Sequence, residues 1–503
     1  MSKHLCACTV ACAALAIVGF TDITAQVSML AIVGATVVDG SGGPPASDAT
    51  IIVTGSRITV VGPRARVSVP AGANIVDGKG KFVVPGFVDT NVHLSLYGGI
   101  NDRYETLVRY FDRQNDIVLE AAQIDLRYGI TTVRDSYGML VTLTAVRDRI
   151  NGGQAIGPRI LAAGNIVGWG GPYSVSFSLT RTNALTLFQE QMNDAIAQGA
   201  GEEWMAMTPA ELAKAVDAYL DKGPDFIKYG GTSHFSEPTF IGFSLDAQKV
   251  IVERAHARGK AAETHATSAE GLRLAIAAGI DLIQHPELLD GRELPDDMVA
   301  TIRDRRIICS MLVSTITGDA WQKHLKDRKQ AEEKLADADK KMPPREKTTL
   351  ERHHRDVDLG LELESRRQNA IKLIKAGAVI TVGTDSYWAA ASELSRTPKP
   401  DNQDHGNGTI AAIEGLVELG MPPALAVVAG TRNGAIASRG AQAFGTIEPG
   451  KEADLVVLEA DPLNDIHNIR KVSVVIKGGT VIDRNALPQK RVLSRVPAAT
   501  SNQ

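Results

Sequence analysis

Short apolar runs alternate with longer amphipathic stretches over residues 86–439. Eight of these runs have the length and β-branched content of buried strands, and helix-like segments separate them, which is typical of repeated parallel βα units. The eight candidate strands are GFVDTNVHL, GITTVRD, PRILAAG, DFIKYG, GKAAETHA, GIDLIQH, RIICSML and GAVITVGTD. The pattern predicts an α/β fold built around a (β/α)8 barrel.

The segments that flank this region have a different pattern of apolar and turn-forming residues. Residues 28–85 and 440–485 contain short β-branched runs between Gly, Asp and Pro turns, as a small antiparallel sheet does. Neither segment has enough strands to cover its own apolar face, so we expect both to form one composite β-sandwich domain. A highly charged segment at about 317–367, after the seventh strand, predicts a solvated helical insertion.

The first 25 residues are typical of a secretory signal peptide. A short basic start precedes an apolar run, and Ala25 ends a plausible cleavage site. The run is too short and too early for a comfortable membrane span. Cleavage would leave Cys309 as the only thiol and therefore no internal disulfide. We expect a secreted or periplasmic protein with no membrane span in the mature chain; a lipid anchor at Cys12 and an uncleaved anchor are the alternatives.

Composition narrows the class of partner. The chain has 503 residues, of which 44% are hydrophobic and 22% charged, as in ordinary soluble globular proteins. A net charge of -4 over this length gives no electrostatic footprint for nucleic acid. We therefore expect a small-molecule or short-peptide substrate and no nucleic-acid partner.

Side chains that can bind a metal stand at the carboxyl ends of five predicted strands. In a (β/α)8 barrel these strand ends share one open mouth, so the side chains should converge there. Imidazole and carboxylate groups suit Zn²⁺ or another divalent transition metal. The predicted metal ligands are Asn91, His93, Lys228, His265, His285 and Asp385.

Lys228 narrows the possible chemistry. A lysine inside a barrel must be ion-paired, lose its charge or be modified, because an isolated ammonium is costly to desolvate. A salt bridge to Asp385 is the alternative in which Lys228 has a purely structural role.

Together with five sequence segments, this arrangement of metal-binding side chains resembles the amidohydrolase superfamily, in particular its imidazolonepropionase-like and metal-dependent dipeptidase branch. These segments are VVPGFVDTNVH, IKYGGTS, THATSAEGLRLAIAAGIDLIQHPE, VGTDS and GTIEPGKEADLVVLEADPLNDI.

The resemblance implies a cofactor and a distribution of ligands. Lys228 would be carboxylated to N6-carboxylysine and bridge two metal ions. Asn91 departs from the family pattern, because it replaces the first histidine of a His-x-His pair and its amide oxygen is a weaker ligand. The number of bound metal ions, one or two, therefore stays open. The resemblance also implies a homo-oligomer. The remaining ligands would form two pairs, His93 with Asp385 and His265 with His285.

The expected reaction is attack of metal-activated water on an amide carbonyl, with Asp385 as general base and then general acid. Three further residues are candidates for substrate binding, namely Tyr229 and His234 after the fourth strand and His405 after the eighth. The sequence thus predicts a secreted metal-dependent hydrolase of a peptide-like C–N bond. A hydrolase of cyclic amides or carbamates is one alternative, and a degenerate, non-catalytic metal-binding or scaffold protein is the other.

Overall fold

The computed structural model describes most of the chain between residues 28 and 488. The leader, residues 1–25, and part of the charged insertion lie outside the described residues. The described parts are residues 28–97, 108–178, 182–234, 239–341, 359–388 and 400–488, with isolated residues between 348 and 357.

Five strands precede the barrel, namely β1 Met29–Val37, β2 Ala46–Thr54, β3 Arg57–Pro63, β4 Asn74–Asp77 and β5 Phe82–Pro85. β2 runs antiparallel to both β1 and β3, whereas β4 and β5 pair with β1 in parallel. This part of the sheet is therefore mixed and not purely antiparallel as expected. The reason is that residues 64–73 carry the chain back across the sheet before β4 begins.

Ten strands follow and form two parallel arcs. They are β6 Phe87–Tyr97, β7 Ile130–Asp135, β8 Arg159–Ala162, β9 Ile166–Val167, β10 Ile227–Gly230, β11 Ala262–His265, β12 Leu282–Gln284, β13 Ile308–Met311, β14 Val379–Val382 and β15 Ser386–Trp388. One arc has the order β15-β6-β7-β8, and the other has the order β14-β13-β12-β11-β10-β9. Each of the eight predicted barrel strands overlaps one of these observed strands, and β6 extends three residues beyond its predicted end.

Hydrogen bonds join the edges of the two arcs. Thr90 Oγ1 on β6 donates to the carbonyl oxygen of Val382 on β14 at 2.7 Å. On the other side, the amide of Asp225, just before β10, donates to the carbonyl oxygen of Ala162 on β8 at 2.7 Å. The predicted (β/α)8 barrel is confirmed.

Helices lie between the strands along the chain, and their caps follow from local sequence. Thr208 accepts from the amide of Glu211, whose side chain accepts in return from the Thr208 amide, so a capping box starts the helix Pro209–Leu220. None of the described helices is long and apolar enough to cross a bilayer. The helices are α1 Gln114–Arg127, α2 Leu140–Asn151, α3 Val175–Ser178, α4 Leu187–Ala197, α5 Pro209–Leu220, α6 Leu245–Ala257, α7 Ala269–Ala278, α8 Asp296–Asp304, α9 Gly318–Lys341, α10 Leu361–Ala376, α11 Asn407–Glu418, α12 Pro423–Ala429 and α13 Arg432–Ala437.

The chain ends in three further strands, β16 Leu455–Leu458, β17 Val472–Lys477 and β18 Thr480–Val481. β16 pairs antiparallel with β5 on one side and with β17 on the other. The described strands before and after the barrel therefore form a single sheet that pairs the two terminal segments, while the boundaries of the composite domain stay a prediction. Its core includes Ile32, Val53, Val83, Leu455 and Ile476.

The charged insertion has two parts with different environments. Most side chains of α9 are exposed, as the composition predicts. Arg366 on α10, however, is only 7% exposed, and Asn369 is fully buried. The expectation of a solvated segment over the whole of 317–367 is therefore wrong at its carboxyl end, where α10 packs against the barrel.

A buried ion pair lies inside the barrel, one layer below the strand ends. Arg134 Nη2 on β7 is 2.5 Å from Glu263 Oε2 on β11, and the side chains are 2% and 0% exposed. Arg134 also donates to the carbonyl oxygen of Ala437 at 2.9 Å and lies 3.8 Å from the ring centroid of Phe226. Gln284 donates to the other oxygen of Glu263 at 2.9 Å. Because both charges are desolvated, each depends on the other.

Replacing Glu263 should therefore destabilise the fold strongly. In Glu263→Gln the Arg134 guanidinium keeps its buried position without a counter-charge, so the free energy of unfolding should fall by about 3–5 kcal/mol. Urea denaturation of the purified variant measures this. The exposed pair Arg273–Glu270 provides the matched control, since Glu270→Gln should leave the midpoint essentially unchanged. Similar midpoints for the two variants would contradict the assignment.

Candidate active site

A cavity of about 590 Å³ opens at the carboxyl ends of the barrel strands. Its lining includes residues of β6, β10 and β11 and residues that follow β12 and β14. The convergence expected from the strand ends is therefore observed, while the roles of these residues as ligands remain predictions. Five of the six predicted metal ligands line the cavity: His93, Lys228, His265, His285 and Asp385.

His93 and Asp385 form the first of two close pairs. Their Nε2 and Oδ1 atoms are 2.8 Å apart. The side chain of Asp385 is 29% exposed, whereas that of His93 is 8% exposed, so the carboxylate reaches into the cavity. Asp385 has a φ of 53°, in the left-handed region, which turns it out of the strand direction after β14.

His265 and His285 form the second pair, with ring centroids 4.7 Å apart and an interplanar angle of 73°. Burial lowers the pKa of His265 well below its usual range and that of His285 to about 3. Both imidazoles are therefore neutral at physiological pH, which is the form that binds a metal. His265 Nε2 and His285 Nδ1 are buried and have no hydrogen-bond partner among the described residues. Buried polar atoms are nearly always satisfied, so this donor set fits a divalent transition metal.

These two pairs do not form one closed cluster. Within the described ranges, no group of three or more His, Cys, Asp or Glu side chains is arranged to hold a metal ion. The fit to a metal rests on the open nitrogen atoms of His265 and His285 and not on a preassembled coordination sphere.

Lys228 is 1% exposed and lies in the cavity wall on β10. Its Nζ donates to Ser136 Oγ at 3.1 Å, and burial lowers its pKa. The negative charges of the Glu263 and Asp385 carboxylates raise the pKa of Lys228 without a direct contact, but the effect of burial is larger. The direct salt bridge to Asp385, the structural alternative, is not formed between these described residues.

Asn91 connects Lys228 to Asp385 instead of lining the cavity. Ser136 Oγ donates to the amide oxygen of Asn91, and Asn91 Nδ2 lies 3.3 Å from Asp385 Oδ1 as a donor. The amide oxygen, which was predicted to be a metal ligand, thus accepts a hydrogen bond from Ser136. This geometry gives Asn91 an orienting role toward Asp385.

One side of the cavity is aromatic. Phe177 stacks on Tyr137 and His234, with centroid distances of 5.4 and 4.4 Å, and Trp169 packs edge-on against Phe177 at 5.5 Å. The backbone of β10 permits this arrangement, because a Cβ at Gly230 would collide with the indole ring of Trp169. An apolar or aromatic substituent of a ligand can therefore pack against this wall.

Comparison with known proteins agrees with this architecture. The family model described as "Amidohydrolase family" matches residues 82–482. The chain belongs to the amidohydrolase family. Among solved structures, molinate hydrolase is 30% identical with a TM-score of 0.80, covering 94% of this chain and 99% of that chain. Phenylurea hydrolase B is also 30% identical, with a TM-score of 0.78 and coverages of 93% and 100%. Ochratoxinase from Aspergillus niger is 25% identical over 460 residues, which is 87% of this chain and 83% of that protein.

The three predicted substrate contacts occupy different positions in this amidohydrolase. His234 lines the cavity and stacks on Phe177. Tyr229 is fully buried, does not line the cavity, and donates to Gln248 at 2.9 Å. The reason is strand alternation, because Tyr229 follows the inward-facing Lys228 and must point outward.

His405 also lies behind the cavity wall in this amidohydrolase. It is 2% exposed, and its Nδ1 lies 3.3 Å from Ser386 Oγ and 3.5 Å from Asp125 Oδ2. The negative charge of Asp125 counteracts the effect of burial, so the pKa of His405 is raised. This buried pairing replaces the predicted contact with substrate.

Several cavity residues of the amidohydrolase were not predicted from its sequence. Tyr137 comes just after β7, so the strand-end rule that identified the histidines also applies to it. The rule applies equally to Ser136, which does not line the cavity but bonds the lining residue Lys228. Trp169 lies in an irregular connection after β9, and Phe177 lies on the single turn of α3, which is too short to give a periodic signal. The place of Arg366 in the cavity wall was not predicted, because the high charge of its segment predicted solvent exposure.

The Ser136 hydroxyl should contribute measurably to stability, because it bonds both Lys228 and Asn91. Ser136→Ala should lower the free energy of unfolding by about 1–3 kcal/mol, since it leaves buried polar groups without a partner. The hydroxyl of Ser314 is also buried but has no hydrogen-bond partner in the described structure, so Ser314→Ala is the matched control and should cost little. Equal losses in urea denaturation would argue against the network.

Proposed function

We propose that this chain is a metal-dependent hydrolase of amide-type C–N bonds in small substrates that carry an apolar or aromatic group. The decisive observation is that the open imidazole nitrogen atoms of His265 and His285, the carboxylate of Asp385 and an aromatic wall border one cavity. The names of relatives support the proposal: the two solved structures at 30% identity are a molinate hydrolase and a phenylurea hydrolase, and the curated relative is an ochratoxinase.

We assign the metal to the two pairs and Lys228. Zn²⁺ or another divalent transition metal would be held as one or two ions, and Lys228 is the candidate N6-carboxylysine. Burial favours the neutral amine of Lys228, which is the form that combines with CO2. When bound, the metal would supply hydroxide near neutral pH and polarise the scissile carbonyl. The ligands would be His93, Asp385, His265, His285 and, if it is carboxylated, Lys228.

Asp385 carries the proton transfer in this proposal. Its carboxylate takes a proton from the attacking water and passes it to the leaving nitrogen, so the C–N bond breaks as the amine gains that proton. Asn91 Nδ2 and His93 Nε2 both approach Oδ1 of Asp385, at 3.3 and 2.8 Å, and fix the orientation of the carboxylate. The aromatic wall holds the apolar part of the substrate and excludes water from it.

The charges in the cavity favour a neutral substrate. Among the described lining residues, Asp385 is the one carboxylate, and proton transfer already occupies it. The ammonium group of a free dipeptide would therefore lose its hydration without gaining an acidic partner. A neutral amide, urea or carbamate has no such penalty, which supports the carbamate alternative over a free peptide.

Arg366 favours a second candidate, the N-acyl amino acids. It lines the cavity, and its Nε is buried without a hydrogen-bond partner among the described residues. Its Nη2 is held by the carbonyl oxygen of Leu312 at 3.3 Å and by Thr315 Oγ1 at 2.9 Å. A positioned guanidinium is a strong partner for a carboxylate. An N-acyl amino acid would offer an apolar acyl group to the wall and a carboxylate to Arg366.

We further propose that residues 1–25 direct export and that the enzyme self-associates. The basic and apolar leader supports export, and resemblance to the amidohydrolase family supports oligomerisation. Amino-terminal sequencing of the protein recovered from outside the cytoplasm should give a mature chain that begins at Gln26. Recovery with an intact Met1 would contradict cleavage.

Metal content tests the cofactor directly. Elemental analysis of the purified wild-type protein should give one or two equivalents of a divalent transition metal. His265→Ala should lower this content, because it removes one of the two open nitrogen donors. His256→Ala is the matched control, since His256 is bound to Asp281 on the barrel exterior and its loss should leave the metal content unchanged. Equal metal content in all three proteins would exclude His265 as a ligand.

The same preparations test the reaction on a panel of anilides, phenylureas, carbamates, N-acyl amino acids and dipeptides. Asp385→Asn should lower kcat by about 100-fold or more with an unchanged thermal midpoint. Arg366→Met should raise KM for N-acyl amino acids only. Absence of both metal and hydrolysis in the wild-type protein would support the non-catalytic scaffold.

A further inference from the structure

Tyr137 brings an unused hydrogen-bond donor to the cavity. Its side chain lines the cavity and is 1% exposed, and its hydroxyl has no hydrogen-bond partner in the part of the chain that the structure describes. A buried tyrosine hydroxyl normally has a partner, because the loss of its hydration is otherwise uncompensated. The missing partner therefore points to a group that enters the cavity.

The environment of Tyr137 holds the ring in place. The ring stacks on Phe177 at 5.4 Å and meets Trp169 edge-on at 6.2 Å. It also lies edge-on to His93, with a centroid distance of 5.9 Å, so the ring is close to the proposed reaction centre. A donor fixed in this way loses little conformational entropy when it binds a ligand.

The backbone around Tyr137 is fixed as well. Its amide donates to Asp135 Oδ1 at 3.2 Å, and the following amide, of Gly138, donates to the carbonyl oxygen of Gly164 at 2.9 Å. The preceding amide, of Ser136, donates to the carbonyl oxygen of Val92 at 3.1 Å. Three consecutive amides thus fix the backbone from which the Tyr137 ring projects.

We propose that the Tyr137 hydroxyl donates a hydrogen bond to the carbonyl oxygen of the scissile group and to the oxyanion that develops from it. This inference rests on the proposed function. The phenol keeps its proton throughout, so it enters no bond-making step and leaves the proton balance at Asp385 unchanged. Tyr137 thereby selects substrates that have an oxygen acceptor next to the group bound by Phe177 and Trp169.

If the Tyr137 hydroxyl had a structural role instead, its removal would destabilise the fold. Tyr219 serves as the comparison, because it is also 1% exposed but its hydroxyl donates to the carbonyl oxygen of Ala163 and accepts from the amide of Asn165, both at 2.8 Å. Removal of a satisfied hydroxyl destabilises a protein, whereas removal of an unsatisfied one does not.

The first test combines stability and kinetics. Tyr137→Phe should keep or raise the thermal midpoint of the wild type and should lower kcat by about 100-fold, with a smaller change in KM. Tyr219→Phe should lower the midpoint and change kcat little. A Tyr137→Phe protein with wild-type kcat, or with a midpoint as low as that of Tyr219→Phe, would overturn the proposal.

The second test measures binding without turnover. In an Asp385→Asn background, calorimetry compares acetanilide with N-ethylaniline, in which a methylene group replaces the carbonyl. Adding Tyr137→Phe should weaken acetanilide binding by about fivefold and leave N-ethylaniline binding unchanged. Equal effects on both ligands would overturn the proposal.

This design separates the inference from the function on which it rests. If the wild-type protein hydrolyses nothing in the panel but the selective loss of acetanilide binding persists, the proposed reaction fails while the donor role of Tyr137 stands. If hydrolysis is observed and Tyr137→Phe changes neither kcat nor acetanilide binding, the reaction stands and the donor role fails.

Discussion

Glu263 and His265 stand two residues apart on β11 and face the same interior, but their environments differ. The carboxylate of Glu263 is paired with Arg134 at 2.5 Å and bonded by Gln284 at 2.9 Å, whereas His265 Nε2 has no described partner. A desolvated charge without a partner costs several kcal/mol. The ion pair therefore balances the two charges in the layer below the site, whereas the unpaired imidazole nitrogen of His265 lies in the layer that a ligand can reach.

The backbone contributes a second constraint in the upper layer. His285 and Asp385 have φ angles of 37° and 53°, and such left-handed conformations of non-glycine residues cost of order 1 kcal/mol or more. Neighbouring strands hold both residues, since the His285 amide donates to the carbonyl oxygen of Ser310 at 2.6 Å and the Asp385 amide to that of Asn91 at 2.8 Å. The barrel framework thus sets the direction of these side chains and compensates the local strain.

The sequence was most informative where the two-residue period of a strand fixes the direction in which a side chain points. Strand spacing predicted that His93, His265 and Lys228 face one cavity, and the texture of the terminal segments predicted their shared sheet. The same rule, applied strictly, would have turned Tyr229 outward. His405 and Trp169 lie in irregular connections, where no period links position to direction. Their places depend on nonlocal contacts, which the linear pattern does not contain.

Asn91 bears on whether the site has lost its chemistry. A residue left over in a decayed site would have no reason to keep polar partners, but the Asn91 amide accepts from Ser136 and donates toward Asp385. An amide can do both at once without adding charge between the buried Lys228 and the Asp385 carboxylate. Asn91 is thus a weaker ligand than the histidine of the family pattern, but it contacts Asp385, the group to which we assign the proton transfer. This arrangement favours a modified catalytic centre over a non-catalytic scaffold.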